Sequence, residues 1–184
     1  MTTPAQGRTS TIVLGGGCFW CLDAVYANVK GIVSVESGYS NGQLRQPSYE
    51  QVCSGNTGHA EVVRLEFAPQ IISLHEILEI FFVIHDPTTR NAQGNDHGTQ
   101  YRSGIYFVDM AQQPVAQQVL QELGQSGVYT RPIVTELQGL QNYWPAEDYH
   151  QDFFARNPHQ GYCQAVAAPK VAKFRKTFAR LQKD

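Results

Sequence analysis

Apolar and polar residues alternate over residues 61–67, with Val63, Leu65 and Phe67 on one side and Val62, Arg64 and Glu66 on the other. A period of two is that of a half-buried strand. Residues 9–14 form a second β-rich run, which ends in Gly15, Gly16 and Gly17. Residues 18–29 then switch to helical spacing, with Leu22, Val25, Tyr26 and Val29 on one face and Gly31 as a stop. Further strands are predicted at 32–36, 103–108 and 133–137. Ser73 and Glu76 make a capping box that opens a helix reaching about residue 84. Helices are also predicted at 111–123, with Pro114 in the first turn, at 146–155 behind Pro145, and at 170–181. Residues 38–58 and 85–100 read as loops, the first long enough to be functional, and 157–169 reads as irregular.

Strands interleave with helices, but the last strands are few. The pattern predicts an α/β chain of the α+β type: a single-domain two-layer sandwich, with helices on one face of a mixed sheet. A doubly wound sheet is the alternative. One catalytic domain is expected over residues 1–184, with a flexible N-terminus at 1–8 and a mobile segment at 157–169.

Bulk properties narrow the function. With 184 residues, 42% hydrophobic and 16% charged, the chain can bury a core without disulfides or metal. The net charge of −2 carries no basic stripe of the kind nucleic-acid binders show. The cluster Lys170, Lys173, Arg175, Lys176 and Arg180 fits a solvated helix face. No stretch approaches a membrane span, and the first ten residues hold no apolar signal core. The expectation is a cytoplasmic monomer that binds neither nucleic acid nor membrane. Its four cysteines, Cys18, Cys21, Cys53 and Cys163, would be reduced at rest.

Cys18 stands at the junction of strand, glycine turn and helix. A helix N-terminus favours negative charge and lowers a thiol's pKa, which is the setting of a reactive cysteine. The bland alternative is a small buried hydrophobe. A phosphate-binding turn is disfavoured, since no Lys-Ser or Lys-Thr follows and Trp20 stands where a third glycine would be needed.

Gly17-Cys18-Phe19-Trp20 resembles the signature of the A-type peptide methionine sulfoxide reductases. Seven segments follow in register: Ser37-Gly38-Tyr39, Tyr49-Glu50-Gln51-Val52-Cys53-Ser54-Gly55, Thr57-Gly58-His59-Ala60-Glu61, His85-Asp86-Pro87, Gly94-Asn95-Asp96, Gly98-Thr99-Gln100-Tyr101-Arg102-Ser103 and Pro145-Ala146-Glu147-Asp148-Tyr149-His150-Gln151. The resemblance implies a ferredoxin-like core and thiol-dependent reduction of methionine S-sulfoxide, free or in proteins, as repair of oxidative damage. It makes Cys18 the nucleophile, Phe19 and Trp20 the methyl pocket, and Glu61 the acid. Tyr49 and Tyr101 would donate to the sulfoxide oxygen, and Asp96 would position the substrate backbone. It makes Cys163 the resolving thiol, with thioredoxin or an artificial dithiol as electron source and no cofactor or metal. Cys21 shares a helix face with Cys18 and is a possible auxiliary thiol; Cys53 receives no role.

Three other readings use the same residues. A thioredoxin-like oxidoreductase would employ Cys18 and Cys21 as its C-x-x-C pair, leaving Glu61 and Cys163 unexplained. A zinc module would gather all four cysteines, although a second C-x-x-C is absent. A cysteine hydrolase would pair Cys18 with one of six histidines, none singled out by spacing.

Overall fold

The computed structural model describes residues 7–184. Of the N-terminal segment 1–8 expected to be flexible, residues 1–6 lie outside the described residues. Strand β1 (Ser10–Gly15) leads through the glycine turn into helix α1 (Phe19–Tyr26), followed by β2 (Ile32–Ser40), α2 (Tyr49–Cys53), β3 (Ala60–Phe67) and α3 (Leu74–Ile84). A small hairpin of β4 (Ala92–Gln93) and β5 (Asp96–His97) precedes β6 (Gly104–Phe107), α4 (Gln112–Gln125) and β7 (Glu136–Gly139). The chain closes with β8 (Trp144–Pro145), α5 (Phe153–Arg156) and α6 (Ala168–Thr177).

Six strands form one sheet in the order β7-β6-β1-β3-β2-β8. The β6–β7 pair is parallel and the other four pairs are antiparallel, so the sheet is mixed. Its inner four strands, β6-β1-β3-β2, with α1 after β1 and α3 after β3, have the order of a ferredoxin-like core.

The alternation read in β3 decides which face is which. Val63, Leu65 and Phe67 join Ile12 and Leu14 in the main core, packed against Leu22, Val25, Ile77, Phe81 and Phe174 of the helices. Val62, Val13, Ala60 and Tyr106 form a second, smaller cluster covered by half-buried Leu140 and Tyr143. Burying such a side chain contributes roughly 1.5–3 kcal/mol, and a one-residue slip of β3 would exchange its two faces. The register is therefore strongly held. It places Glu61 opposite Tyr39 on β2.

The capping box forms as expected: Glu76 N–H donates to Ser73 Oγ at 3.1 Å, and Ser73 N–H to Glu76 Oε1 at 3.2 Å. Elsewhere the structure corrects the sequence reading. Strand β2 continues to Ser40, and the supposed loop 38–58 contains α2, opened by a second capping box from Ser48 and Gln51. The last large-sheet strand of the pattern, 133–137, shifts to Glu136–Gly139. The helix predicted at 146–155 is broken into a 3-10 turn, Asp148–His150, and the short α5, with Asp152 at φ 53° between them. Gln151 explains the break, because its side chain turns away to bond Ser37 N–H at 2.8 Å and Ser37 C=O at 2.9 Å. Residues 157–169 are not irregular throughout: Cys163–Ala167 form a π-helical turn that runs into α6. A π turn has no 3.6-residue apolar period, and Pro169 reads as a helix start, so the sequence suggests a gap there.

Candidate active site

The site is built where β1 ends. Gly17 adopts φ +87°, which an L side chain rarely adopts, and a Cβ there would lie 2.8 Å from Gln93 Cγ. Gln93 is itself fixed, its amide bonded both ways to the backbone of Asp86 at 2.9 Å. Gly17 N–H donates to Tyr101 C=O at 3.2 Å, so the turn before Cys18 and the segment bearing Tyr101 are tied together. Gly17→Ala is expected to cost about 1–3 kcal/mol of stability, read as a lower urea midpoint, and to slow methionine formation by displacing Cys18.

Cys18 is the N-cap of α1, half-buried, with extended backbone angles. The expectation that the helix start would lower its pKa is not met. Burial, above all, pushes the Cys18 thiol well above 9.0, and the charges of Glu61 and Cys21 add to this. Only the Trp20 backbone N–H is a notable influence in the other direction. Loss of water outweighs the partial charge at the end of an eight-residue helix. Cys18 therefore rests as a neutral thiol.

Glu61 lies 1% exposed. Its Oε1 accepts the Phe19 N–H at 3.2 Å, which places the carboxyl at the first turn of α1. Its Oε2 has no hydrogen-bond partner among the described residues. Burial raises its pKa to about 8, against the lowering effect of the Phe19 N–H, with Asp96 adding a further rise. A carboxylic acid is thus kept protonated beside a thiol.

The other expected residues surround this pair. Tyr49 opens α2, and Tyr101 ends a 3-10 turn, Thr99–Tyr101. Burial raises both phenols well above 10.0, and both feel the charge of Glu61. They are donors that will not ionise. Asp96 sits on β5, where its Oδ2 accepts the Tyr162 hydroxyl at 2.6 Å. Cys18, Glu61, Tyr49, Tyr101 and Asp96 are within electrostatic reach of one another.

Trp20 is half-buried and Phe19 fully buried. The Phe19 ring faces Tyr39 and His150 rather than solvent, making it a hidden wall. The Trp20 indole stacks on Phe153 at 3.7 Å and 4°, and Tyr162 meets it edge-on at 5.8 Å. Its Nε1–H donates to His150 Nδ1 at 3.0 Å, which fixes the neutral tautomer of a fully buried histidine. His150, Phe153 and Tyr162 were not singled out from sequence. His150 lay inside a quoted motif and Tyr162 directly precedes Cys163, but neither received a role, and Phe153 fell within the helix predicted at 146–155.

The thiols separate. Cys21 is buried, with its Sγ 3.8 Å from the Tyr162 hydroxyl, and burial raises its pKa to about 11. Cys163 is fully buried in the π turn, not in a loop, and is close enough to Cys21 to act on its charge. Cys53 ends α2 with an exposed side chain, beside the Tyr49 hydroxyl. All four are free thiols. Among the described residues, no three His, Cys, Asp or Glu side chains gather as a metal site, which opposes the zinc reading. No helix among them is long and apolar enough to cross a membrane.

Comparison with known proteins gives one answer. The family model for peptide methionine sulfoxide reductase matches residues 10–182. A peptide methionine sulfoxide reductase MsrA of Polynucleobacter asymbioticus is 58% identical over 168 residues, covering 91% of this chain and 88% of that protein. One from Saccharolobus solfataricus is 52% identical, covering 90% and 92%. Among solved structures, Mxr1 from Saccharomyces cerevisiae in reduced form superposes with a TM-score of 0.80 at 35% identity, covering 89% of this chain and 92% of that one. Methionine sulfoxide reductase A of Corynebacterium diphtheriae gives 0.76 at 33% identity, covering 89% and 82%. The chain therefore belongs to the peptide methionine sulfoxide reductase family, in its A type, and reduces methionine sulfoxide by cysteine chemistry.

Proposed function

We propose that Cys18 takes the oxygen from the S epimer of methionine sulfoxide while Glu61 supplies the proton that makes this oxygen a leaving group. The observation that carries the reading is the buried Glu61 carboxyl, held protonated at the first turn of α1 with its Oε2 unpartnered. A sulfoxide sulfur is a poor electrophile until its oxygen is protonated, and general acid catalysis supplies that proton in the transition state. Tyr49 and Tyr101 donate hydrogen bonds to the same oxygen. Trp20 faces the S-methyl group, where an indole face stabilises sulfur as it becomes partly cationic. Phe19 backs that pocket, and Asp96 orients the substrate backbone. The sulfoxide is reduced by two electrons to the sulfide, and Cys18–SH becomes Cys18–SOH.

Cys163 then condenses with the sulfenic acid, releasing water and forming a Cys18–Cys163 disulfide. Segment 157–169 must move for this, because Cys163 is buried in the π turn. A π turn is a weaker helical element and a frequent companion of functional sites. Thioredoxin, a dithiol protein acting in the cytoplasm, reduces the disulfide by exchange. Cys21 serves as an auxiliary thiol. One turnover with methionine sulfoxide and no reductant, followed by peptide mapping, tests the scheme. About one methionine per chain and a Cys18–Cys163 link are expected. A Cys18–Cys21 link would reassign the resolving thiol, and faster turnover of the R epimer would overturn the stereochemical assignment.

A further inference from the structure

Tyr49 answers to two carboxyl groups: its phenol feels the charge of Glu61, and its backbone N–H is held by Glu147. Glu147, in the segment after β8, is half-buried and divides its carboxylate between two partners. Its Oε1 accepts the Tyr39 hydroxyl at 2.8 Å, and its Oε2 accepts the backbone N–H of Tyr49 at 3.0 Å. Tyr49 is the first residue of α2, a helix of five residues whose other end is exposed at Cys53. So short a helix is marginal by itself, and the direction of its first side chain depends on what grips its first amide. On the far side of the clamp, Tyr39 is fully buried, pairs with Glu61 across β2 and β3, and packs on Phe19. Glu147 therefore connects the short helix α2, exposed at its far end, to Tyr39, a fully buried residue of β2.

We propose that Glu147 is a positioning residue for the reaction: its carboxylate fixes the backbone of Tyr49 and so aims the Tyr49 hydroxyl at the substrate oxygen. Glu147 touches no reacting atom. The inference rests on the reading of Tyr49 as an oxygen-side donor, and the experiment separates the two.

Single-turnover rates of methionine formation are compared for Glu147→Ala, Glu147→Gln, Tyr49→Phe and the Glu147→Ala/Tyr49→Phe double variant. Loss of one well-aimed hydrogen bond slows a step by about tenfold. Glu147→Ala is expected to lower the rate at saturating substrate by about that factor, with KM little changed. Glu147→Gln should restore the rate, since its carbonyl can accept the Tyr49 N–H while its amide donates to the Tyr39 oxygen. A residue needed only for its charge would not be rescued in this way. The double variant is expected to be no slower than Tyr49→Phe alone, because the clamp acts through that hydroxyl. Multiplicative losses, or a Glu147→Ala enzyme of normal rate, would overturn the proposal. If Tyr49→Phe is itself harmless, the fault lies with the reading of Tyr49. Should Glu147→Ala fail to fold, Glu147→Asp takes its place in the same cycle, its shorter arm leaving the Tyr49 amide out of reach.

Discussion

Cys18→Ser is expected to abolish methionine formation, a loss of at least ~10³-fold in the single-turnover rate, as removal of a covalent nucleophile generally gives. The substitution is nearly isosteric, so the fold and the ring contacts of Trp20 should survive it. What disappears is the half-buried thiol at the N-cap of α1, while the second thiol of that first turn, Cys21, stays buried. A serine hydroxyl neither attacks sulfur at a useful rate nor accepts oxygen as a stable sulfenic acid. The measurement is methionine released from the sulfoxide with dithiothreitol as artificial donor, alongside a Cys21→Ser control. Cys21→Ser should keep its first turnover, because Cys21 is buried and its pKa stands at about 11. Insulin reduction lost in Cys21→Ser would favour the disulfide-oxidoreductase reading. Methionine repair at normal speed by Cys18→Ser would dismiss the nucleophile outright.

The parts of the site readable from sequence were those whose signal is local. The alternation at Val63, Leu65 and Phe67 reported a two-faced strand because one face of β3 lies against helices. Gly15 to Gly17 before Cys18 reported a turn that only glycine tolerates at φ +87°. Ser73 and Glu76 reported a helix start because that bonding spans three residues. Electrostatics was misread for the opposite reason. A helix terminus is visible in sequence, whereas the burial that overrides it at Cys18 comes from residues scattered over the chain. The supports of Trp20 were hidden likewise. His150 lies 130 positions away from it, and Phe153 follows a left-handed Asp152 that no helical period announces. Ser48 and Gln51 carried a capping box as clear as the one at Ser73, but it opens a helix too short to show an apolar face.

Glu61→Gln is the second large effect, and it separates stability from activity. Glutamine is close in shape to the protonated acid and can still accept the Phe19 N–H, so the fold should hold. It cannot give up a proton, and loss of a general acid slows the chemical step by about 10²–10⁴-fold. The pH dependence carries the sign. In the unfolded chain Glu61 ionises near 4.5, whereas in the folded chain it keeps its proton until about 8. The stability it contributes is complete below pH 4.5 and is lost as pH rises towards 8. At pH 7 that loss is on the order of 3 kcal/mol, and Glu61→Gln, which has no charge to bury, should escape it. The urea midpoint of the native protein should therefore fall from pH 5 to pH 8 relative to that of the variant. Rates should move the other way. The productive state needs Glu61 protonated and Cys18 ionised, two conditions that oppose each other above pH 8. The native single-turnover rate should climb with the thiolate up to about pH 8 and then level off, as Glu61 gives up its proton. The slow Glu61→Gln enzyme should keep climbing through that point, so the gap between the two narrows by about tenfold per pH unit above it. A gap that stays constant from pH 6 to pH 9 would mean that the proton on the departing oxygen comes from elsewhere, and Tyr49 or Tyr101 would have to be its source.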